Sequence, residues 1–557
     1  MSNRPSILLT NLFELTRTGS ELHVLSLAEA FKQRGWDVDV FCLVKGLPLQ
    51  QAFLEKGIAL FDYAQIDELK PHYDVFFAQH QLAAESVWRK GITFDKIVVS
   101  SLSPYSEHEE LPSFAGLADL LVVNSEETLE VREAELHRLA NNAKIISKQS
   151  LNPQAMVFLN YASESAFEFG KRQANTDDSE QKYPTQATNA ENVGIFPEQQ
   201  SRNRQPNDSA LSRIAVISNH VPPEVHQAVP LFEAAGISCD LFGYESISVD
   251  ITPAFLGSYD LVVSIGQTAQ MCFATKTPLY CYDNFGGPGY LEVESLDTAE
   301  HFNYSGRHAP VKRTAEELVD DIVAGYASNV KNLDVLYERA LDRYAFDKLF
   351  DAFYQKLEEI QPKERSCPQS PSEEGPMPNA TLLKLSIDGF LASINPLMGS
   401  MQLFYDDSFE GGVPTEEKSL LLRYRYNTSF DLHPKLFLPA DSASCLLRLD
   451  PDFKPVVCKV DKKLKPIRPF DRKGNEEYFV SNDPILLAKD RTATESLRFW
   501  ARDLTNDALI SYLEKSAEIL GNYSGNYSAT LERIEEFKKS SLSRKVCLLF
   551  NRFIKRR

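Results

Sequence analysis

The sequence has little that would tie the chain together covalently or around a structural metal. Its eight cysteines include no CxxC pair, so both a zinc site and a disulfide framework lose support. We therefore expect reduced, mostly buried thiols, as in a cytoplasmic protein. No apolar run reaches the roughly 18 residues that a membrane span needs, and the apolar stretch near the N-terminus is too short and too interrupted for a signal peptide.

An excess of positive charge is also missing. The formal net charge is -19 at pH 7, which argues against nucleic acid as a partner of this protein. The chain has 557 residues, of which 43% are hydrophobic, so it can bury several cores. We expect two or three domains.

Short β-rich runs alternate with amphipathic segments over the first 160 residues. This alternation is typical of βαβ units in a doubly wound parallel sheet, and we assign residues 1–169 to an N-terminal Rossmann-like lobe. A helix begins near Gly19 and Ser20, and another begins after Ser125. The predicted strands are residues 6–10, 37–43, 73–79, 96–101 and 120–124.

A polar stretch without periodicity separates this lobe from a second alternating series. We predict a disordered insertion at 170–211 and a second Rossmann-like lobe at 212–361. The helical stretch 333–360 at its end would brace one lobe against the other. Strands are predicted from residue 213 and at 239–242, 261–265 and 279–282.

The last third of the chain has a different pattern, which is typical of antiparallel β-structure. A linker at 362–379, rich in proline, serine and glutamate, precedes an antiparallel, sandwich-like β-rich module at 380–505. Residues 506–557 have a helical period and carry eight cations after Glu536 with no acidic residue between them. A basic amphipathic tail of this kind suggests docking on an anionic membrane surface, with an ordinary packed C-terminal helix as the alternative.

Residues 259–290 carry the clearest binding pattern. A buried strand leads directly into Gly266, Gln267 and Thr268, which open a helix. Free N–H groups at such a helix start, together with the helix dipole, favour a diphosphate, and a sugar nucleotide would suit the carboxyl end of the sheet. The next strand leads to Asp283 and to a predicted glycine-rich loop. Its glycines, which would let the backbone approach a ligand, are Gly286, Gly287 and Gly289.

Further candidates lie at the ends of other strands. Gly19 and Ser20 open the first helix, and Asn219 and His220 follow the first strand of the second lobe, at the carboxyl end of its sheet, where ligands of such sheets bind. His80 ends the strand 73–79 and is the candidate catalytic residue.

Each candidate also has a structural interpretation. His80 can cap the following helix, and the turn at Gly266 can be an ordinary strand-to-helix connection. Asp283 can cap its loop instead of binding a hydroxyl. Arg307 can add a bidentate charge for a phosphate, or it can pair with a surface carboxylate.

With these residues in place, residues 1–360 resemble the GT-B glycosyltransferases, nearest to the family 4 group of bacterial surface-polysaccharide enzymes. The resemblance rests on Gly19-Ser20-Glu21 ahead of a helix that ends at Arg34-Gly35-Trp36, and on four later blocks. Those blocks are ISNHVPPEV, YDLVVSIGQTAQ, TPLYCYDNFGGPGYL and FNYSGR. The β-rich region is similar to an accessory module that is often appended to bacterial glycan-assembly transferases.

The resemblance implies transfer of a sugar from a nucleotide-sugar donor to a cell-surface glycan or lipid-linked acceptor, without a metal or other cofactor, in the cytoplasm or on the inner face of the membrane. It also implies that an N-lobe histidine such as His80 contacts the donor sugar or acts as a base. Many family 4 enzymes hold the donor with two glutamates seven residues apart, but the helix 268–278 has no acidic residue, and Gln270 is the nearest polar substitute.

Two other functions fit the same fold. A noncatalytic glycan-binding or scaffold subunit is consistent with the missing glutamates and the large β-rich module. A sugar-nucleotide epimerase of the related two-lobed fold would need no acceptor, but the sequence shows no carboxylate-rich cleft. The donor, the acceptor and the stereochemistry stay open.

Overall fold

The structure is a computed structural model. It describes residues 4–147, 154–174, 211–243, 249–366, 380–406, 419–438, 446–450, 456–460, 464–467, 471–473, 476–479, 485–488 and 496–503. The tail predicted at 506–557 lies outside these residues, and so do most of the predicted insertion and most of the predicted linker.

Seven parallel strands form the sheet of the first lobe, the N-lobe, in the order β3-β2-β1-β4-β5-β6-β7. The strands are β1 Ser6–Glu14, β2 Asp37–Lys45, β3 Ala59–Phe61, β4 His72–Gln79, β5 Thr93–Ser101, β6 Leu120–Val123 and β7 Gln154–Val157. The helices are α1 Gly19–Gln33, α2 Leu49–Glu55, α3 Gln81–Trp88 and α4 Glu126–Ser147. Strands β3 and β7 add edges to the sheet that the sequence pattern did not indicate.

Both faces of this sheet are covered, which explains its continuous apolar strands. On one face, Val24, Leu27 and Phe31 of α1 pack against the strands. On the other face, Val87 and Trp88 of α3 pack beneath the same sheet. The order of the strands reverses between β1 and β4, and in doubly wound sheets ligands bind outside the carboxyl ends of the strands at such a point.

A smaller sheet forms the second lobe, the C-lobe, in the order β12-β11-β10-β8-β9. All its strands are parallel except β12, which runs antiparallel to β11. The strands are β8 Arg213–Ile217, β9 Ser238–Phe242, β10 Leu261–Ser264, β11 Leu279–Asp283 and β12 Gly286–Tyr290. The helices are α5 Glu164–Ala174, α6 Pro223–Ala234, α7 Pro253–Leu256, α8 Gln267–Thr275, α9 Leu296–His301, α10 Ala315–Val330 and α11 Leu333–Arg343.

The chain crosses between the lobes at two neighbouring points, Ala162 and Ala345, which form an isolated β-bridge. Helix α5 follows the first crossing and packs in the C-lobe core through Ala166 and Phe167. The sequence prediction divided these residues between the N-lobe, up to 169, and the disordered insertion, from 170. After the second crossing, helix α12, Phe346–Glu359, returns to the N-lobe core. Helix α11 therefore lies in the core of the C-lobe and α12 in the core of the N-lobe, and bracing of the lobes by this helical stretch stays a prediction.

Helix α13, Ala380–Ile394, was not predicted, since the sequence prediction began the β-rich module at residue 380. Leu383 and Ile387 place this helix in the core of the N-lobe. The chain divides into two compact units, and the first contains both lobes, α13 and the segments 422–440 and 494–498.

The second unit comprises residues 399–421, 441–493 and 499–557. Its described strands pair antiparallel in two sets, one around Leu446–Asp450 and one around Val456–Val460. The strands from residue 398 onward are β13 Met398–Asp406, β14 Ser419–Arg425, β15 Ser429–Leu432, β16 Leu446–Asp450, β17 Val456–Val460, β18 Leu464–Ile467, β19 Asp471–Lys473, β20 Glu476–Phe479, β21 Ile485–Ala488 and β22 Leu497–Asp503.

The predicted fold class is confirmed: two doubly wound α/β lobes of the GT-B type precede an antiparallel β-rich part. Among the helices of the described residues, none combines the length and the apolar composition that crossing a membrane requires.

Candidate functional site

A cavity of about 240 Å³ lies between the lobes at the carboxyl ends of their strands. Its lining includes Gly19, Ser20 and His23 from the N-lobe, and Gly266 and Gln267 from the C-lobe. Each of these residues follows the end of a parallel strand, β1 or β10. The sequence analysis expected ligand binding at this edge of both sheets, and the structure brings the two predicted helix starts into one cavity.

A second cavity, of about 280 Å³, is slightly larger but lies elsewhere. Arg4, Lys32 and Trp36 line it at the amino-terminal edge of the N-lobe sheet. Ligands of doubly wound sheets bind at the opposite, carboxyl edge, so we assign the candidate site to the cavity between the lobes.

The first turn of α1 is fixed by one buried carboxylate. Glu21 accepts hydrogen bonds from the backbone N–H groups of Leu15 at 2.9 Å, Thr16 at 2.7 Å and Thr18 at 2.9 Å. Burial raises the pKa of Glu21. The carboxyl group thus holds the loop that precedes the helix, while Gly19 and Ser20 line the cavity. The N–H groups of a first helical turn have no acceptor within the helix, so they are available to an anion.

The first turn of α8 is built on a glycine. Gly266 has a φ of +61°, and no atom lies within 4 Å of the position where its β-carbon would be. Gln270, which the sequence suggested as a substitute for a donor-binding glutamate, is only 1% exposed. In the orientation that satisfies its neighbours, its amide nitrogen donates to the backbone oxygen of Gly266. Gln270 therefore supports the turn from behind, while Gln267 lines the cavity and Thr268 is half-buried beside it.

Sequence reasoning missed His23, which lines this cavity together with Glu109 and Tyr161. It is 6% exposed, its Nε2 has no hydrogen-bond partner, and the rings of Phe77, Phe158 and Tyr161 surround it. Burial lowers the pKa of His23 to about 4, against the opposing influence of the Glu109 carboxylate. The imidazole is therefore neutral near pH 7. Its position four residues after Gly19, on the same face of α1, was the available signal.

His80, the predicted catalytic residue, has both ring nitrogens engaged. Nδ1 accepts the backbone N–H of Leu12 at 3.0 Å, and Nε2 lies 2.9 Å from a carboxylate oxygen of Glu109. Because Nδ1 accepts, the proton is on Nε2 and is donated to Glu109. The residue caps α3 with a φ of +59° and is 8% exposed. His80 thus occupies the cap position, but its ring bonds to Leu12 and Glu109 and not to the first turn of α3. Its catalytic role stays a prediction.

The other C-lobe candidates form a separate group at the end of β8. The Ser218 hydroxyl donates to Asp283 at 2.8 Å and accepts the backbone N–H of His220 at 3.0 Å. Burial raises the pKa of Asp283, and the nearby His220 opposes that shift. Asn219 and His220 are exposed. None of these residues is among those that line the cavity.

The prediction of a glycine-rich loop after Asp283 has to be corrected, because Gly286–Tyr290 forms strand β12. The chain itself fills the space beside its glycines. A β-carbon would lie 2.1 Å from the carbonyl oxygen of Cys281 at Gly287, and 2.5 Å from that of Val311 at Gly286. At Gly289 it would lie 2.9 Å from the ring of Tyr280. Close packing against protein atoms therefore explains these glycines without a ligand.

Arg307 pairs with a carboxylate of the opposite lobe. Its Nε lies 3.0 and 3.1 Å from the two carboxylate oxygens of Glu127, the second residue of α4, and its Nη2 also donates to Glu127. The side chain of Arg307 is 19% exposed and that of Glu127 is 7% exposed. Of the two predicted alternatives, the structure has the carboxylate pair, although Glu127 is buried between the lobes and is not a surface residue.

Among the described residues, one group of side chains has metal-binding geometry. His72, Asp74 and Asp95 bring their ligand atoms within 4.8 Å of one another. They lie near the amino ends of β4 and β5, at the sheet edge opposite the cavity, and one oxygen of Asp74 already accepts the backbone N–H and the hydroxyl of Ser6 at 2.7 Å. This group belongs to no part of the candidate site.

No protein-family model matches the chain, and no curated protein sequence matches it. Among solved structures, a glycosyltransferase from Rickettsia africae ESF-5 is similar, with 11% identity over 64% of this chain and 98% of that chain and a TM-score of 0.36. Sucrose-phosphate synthase from Thermosynechococcus elongatus has 13% identity, 64% and 100% coverage and a TM-score of 0.36. A candidate UDP-N-acetylglucosamine 2-epimerase from Listeria monocytogenes has 11% identity, 65% and 98% coverage and a TM-score of 0.37. At such identities and TM-scores these likenesses carry no argument about function, which has to be inferred from the cavity itself.

Proposed function

We propose that the protein is a glycosyltransferase that binds the diphosphate of a nucleotide sugar in the cavity between its lobes. The observation that carries the proposal is the convergence of two helix N-termini, at Gly19 and at Gln267, on one cavity at the carboxyl ends of two doubly wound sheets. Both helix ends present N–H groups and partial positive charge, which suit a diphosphate.

The reaction is the displacement of a nucleoside diphosphate by an acceptor hydroxyl. The acceptor oxygen bonds to the anomeric carbon, the bond from that carbon to the diphosphate breaks, and the hydroxyl proton is lost to solvent or to a nearby base. The charge on the leaving diphosphate is offset by the helix N–H groups. Neutral His23 can accept a hydrogen bond from a sugar hydroxyl through its unpartnered Nε2.

The finer parts of the proposal are those that the sequence resemblance implies. The acceptor would be a cell-surface glycan or a lipid-linked saccharide, and the helix ends, without a metal ion, would carry the charge of the phosphates. The enzyme would act in the cytoplasm, and its basic tail would bind an anionic membrane surface. Asn219, His220 and Asp283 stay predicted donor contacts.

Calorimetry with UDP, GDP, UDP-glucose and GDP-mannose tests the binding site on the full-length protein. We expect micromolar to millimolar affinity for at least one nucleotide, followed by consumption of its sugar when a lipid-linked acceptor is added. If neither binding nor turnover occurred with a broad donor panel, the proposal would be wrong. Binding without turnover across that panel would favour a noncatalytic glycan-binding subunit.

A further inference from the structure

Four residues form a cluster at the rim of the cavity. Tyr105, Glu127 and Arg307 each follow a cavity-lining residue within three or four positions, and Phe285 completes the group. The cavity-lining residues that precede them are Leu102, Asn124 and Asn303. We call these four residues the rim cluster; it draws on both lobes, and three of its members lie three or four residues along the chain from a residue that lines the cavity.

One guanidinium group lies against both aromatic rings of the rim cluster. The central carbon of the Arg307 guanidinium is 5.2 Å from the ring centroid of Tyr105 and 5.6 Å from that of Phe285. Glu127 accepts from Nε of Arg307 and, at 3.2 Å, from the hydroxyl of Tyr105. The guanidinium therefore lies over one face of each ring, and the carboxylate holds both the guanidinium and the tyrosine hydroxyl.

The two rings are unusually accessible. Tyr105 is 64% exposed and Phe285 is 45% exposed, which is high for aromatic side chains. Phe285 lies in the two-residue turn between β11 and β12, where glycine, asparagine and aspartate are usual. Two exposed rings that share one guanidinium give an apolar surface that a ligand can cover.

We propose that the rim cluster is the acceptor subsite, in which Tyr105 and Phe285 bind the ring faces of a saccharide while Glu127 and Arg307 bind its hydroxyl groups. This inference rests on the proposed function, because it assigns the second substrate of the same transfer. A saccharide at the rim would have one end directed into the cavity and the other in solvent, as a growing glycan requires.

The chemistry of the rim cluster favours a saccharide over a nucleobase. A pyranose ring has C–H groups on its faces, which aromatic rings cover, and hydroxyl groups around its edge. Those hydroxyls can donate to the carboxylate and accept from the guanidinium. A nucleobase is recognised by hydrogen bonds from the protein to the donors and acceptors on its edge. The polar groups of the rim cluster are instead an ion pair.

The test uses full-length protein and an array of bacterial surface oligosaccharides, followed by titration with the oligosaccharide that binds best. Tyr105→Ala and Phe285→Ala are compared with Val323→Ala, which truncates another exposed apolar side chain, on α10. We expect each rim variant to weaken oligosaccharide binding by about tenfold or more, while the control and the affinity for the nucleotide diphosphate stay unchanged.

Several results would overturn the inference. Unchanged oligosaccharide binding in both rim variants would do so, as would wild-type protein that binds a nucleotide but no saccharide on the array. Weaker nucleotide binding in either variant would indicate that the rim cluster binds a nucleobase and not a saccharide. Wild-type protein that binds oligosaccharide through the rim cluster but binds no nucleotide would support the subsite and contradict the proposed function.

Discussion

The side-chain oxygen of Gln267 lies 3.4 Å from the point where a β-carbon on Gly19 would be placed. The first residues of two helices, one from each lobe, therefore face each other across the cavity. Both helix ends carry partial positive charge, so they repel each other weakly when nothing lies between them. An anion in this gap relieves the repulsion and gains N–H donors from both sides, which makes the pair of helices better suited to a diphosphate than either helix alone.

Replacing Gly19 should weaken ligand binding without lowering the stability of the fold. In Gly19→Ala, the new methyl group would be at ordinary contact distance from Gln267, so we expect the fold to be kept. Stability should stay equal or rise by up to about 1 kcal/mol, because alanine is the better helix former. The affinity for a nucleotide diphosphate should fall, since the methyl group narrows the gap. Chemical denaturation and calorimetry measure the two effects. Gly389→Ala, on α13, is a matched control whose β-carbon meets no atom within 4 Å.

His23 should make stability depend on pH. Its pKa is lowered from 6.5 to about 4 by burial, so the unfolded chain binds more protons than the folded chain between these values. Stability should therefore rise with pH from about 4 to 6.5, and the contribution of this one group can reach on the order of 3 kcal/mol. His23→Gln should remove this part of the slope in urea denaturation at pH 4.5 and 7.5. His137→Gln, which replaces an exposed imidazole on α4, controls for the loss of a histidine elsewhere; equal slopes for wild type and His23→Gln would contradict the prediction.

The sequence predicted the lobes because buried parallel strands have a pattern of their own, as Leu261–Ser264 illustrates. It predicted the starts of α1 and α8 for a similar local reason, since a glycine after a strand is a local signal. The sequence did not predict that Gly286–Tyr290 is a strand. Its glycines allow close contacts with Val311, which is distant in sequence, and with Cys281, which lies in the neighbouring strand. The same limit explains why the partner of Arg307 was not found: Glu127 is 180 residues away.

His80 should be more important for the fold than for proton transfer. His80→Ala would remove one acceptor from the backbone N–H of Leu12, which keeps its bond to Asn11, and would leave one oxygen of the buried Glu109 carboxylate without its donor. The loss should cost about 1–3 kcal/mol of stability. Thermal denaturation should show a lower midpoint, while His220→Ala, an exposed histidine of the other lobe, should melt as wild type does. A His80→Ala protein of normal stability that had lost all turnover would instead support the catalytic prediction.

The Glu127–Arg307 pair should couple the lobes more strongly than a second ion pair between them. Arg17 and Asp250 also join the lobes, but their side chains are 36% and 43% exposed, against 7% for Glu127 and 19% for Arg307. A double-mutant cycle with alanine at both positions should give a coupling of about 1–3 kcal/mol for the buried bidentate pair and below about 1 kcal/mol for the exposed pair. If Arg307→Ala weakened nucleotide binding while Glu127→Ala did not, the predicted phosphate contact of Arg307 would gain support.

Gly287 and Gly266 should respond in different ways to the same substitution, because they are glycines for different reasons. In Gly287→Ala, the new carbon would lie 2.1 Å from the carbonyl oxygen of Cys281, so β11 and β12 would have to separate, at a cost of about 3 kcal/mol or more. In Gly266→Ala, the new carbon meets no atom within 4 Å, and only the φ of +61° is unfavourable, at about 1–2 kcal/mol. We therefore expect Gly287→Ala to lower the midpoint of denaturation strongly. Gly266→Ala should instead act mainly on nucleotide affinity, because its strain changes the direction of the N–H groups that begin α8. If Gly287→Ala folded normally and lost nucleotide binding, the loop predicted from the sequence would be the better description of this segment than the packed strand.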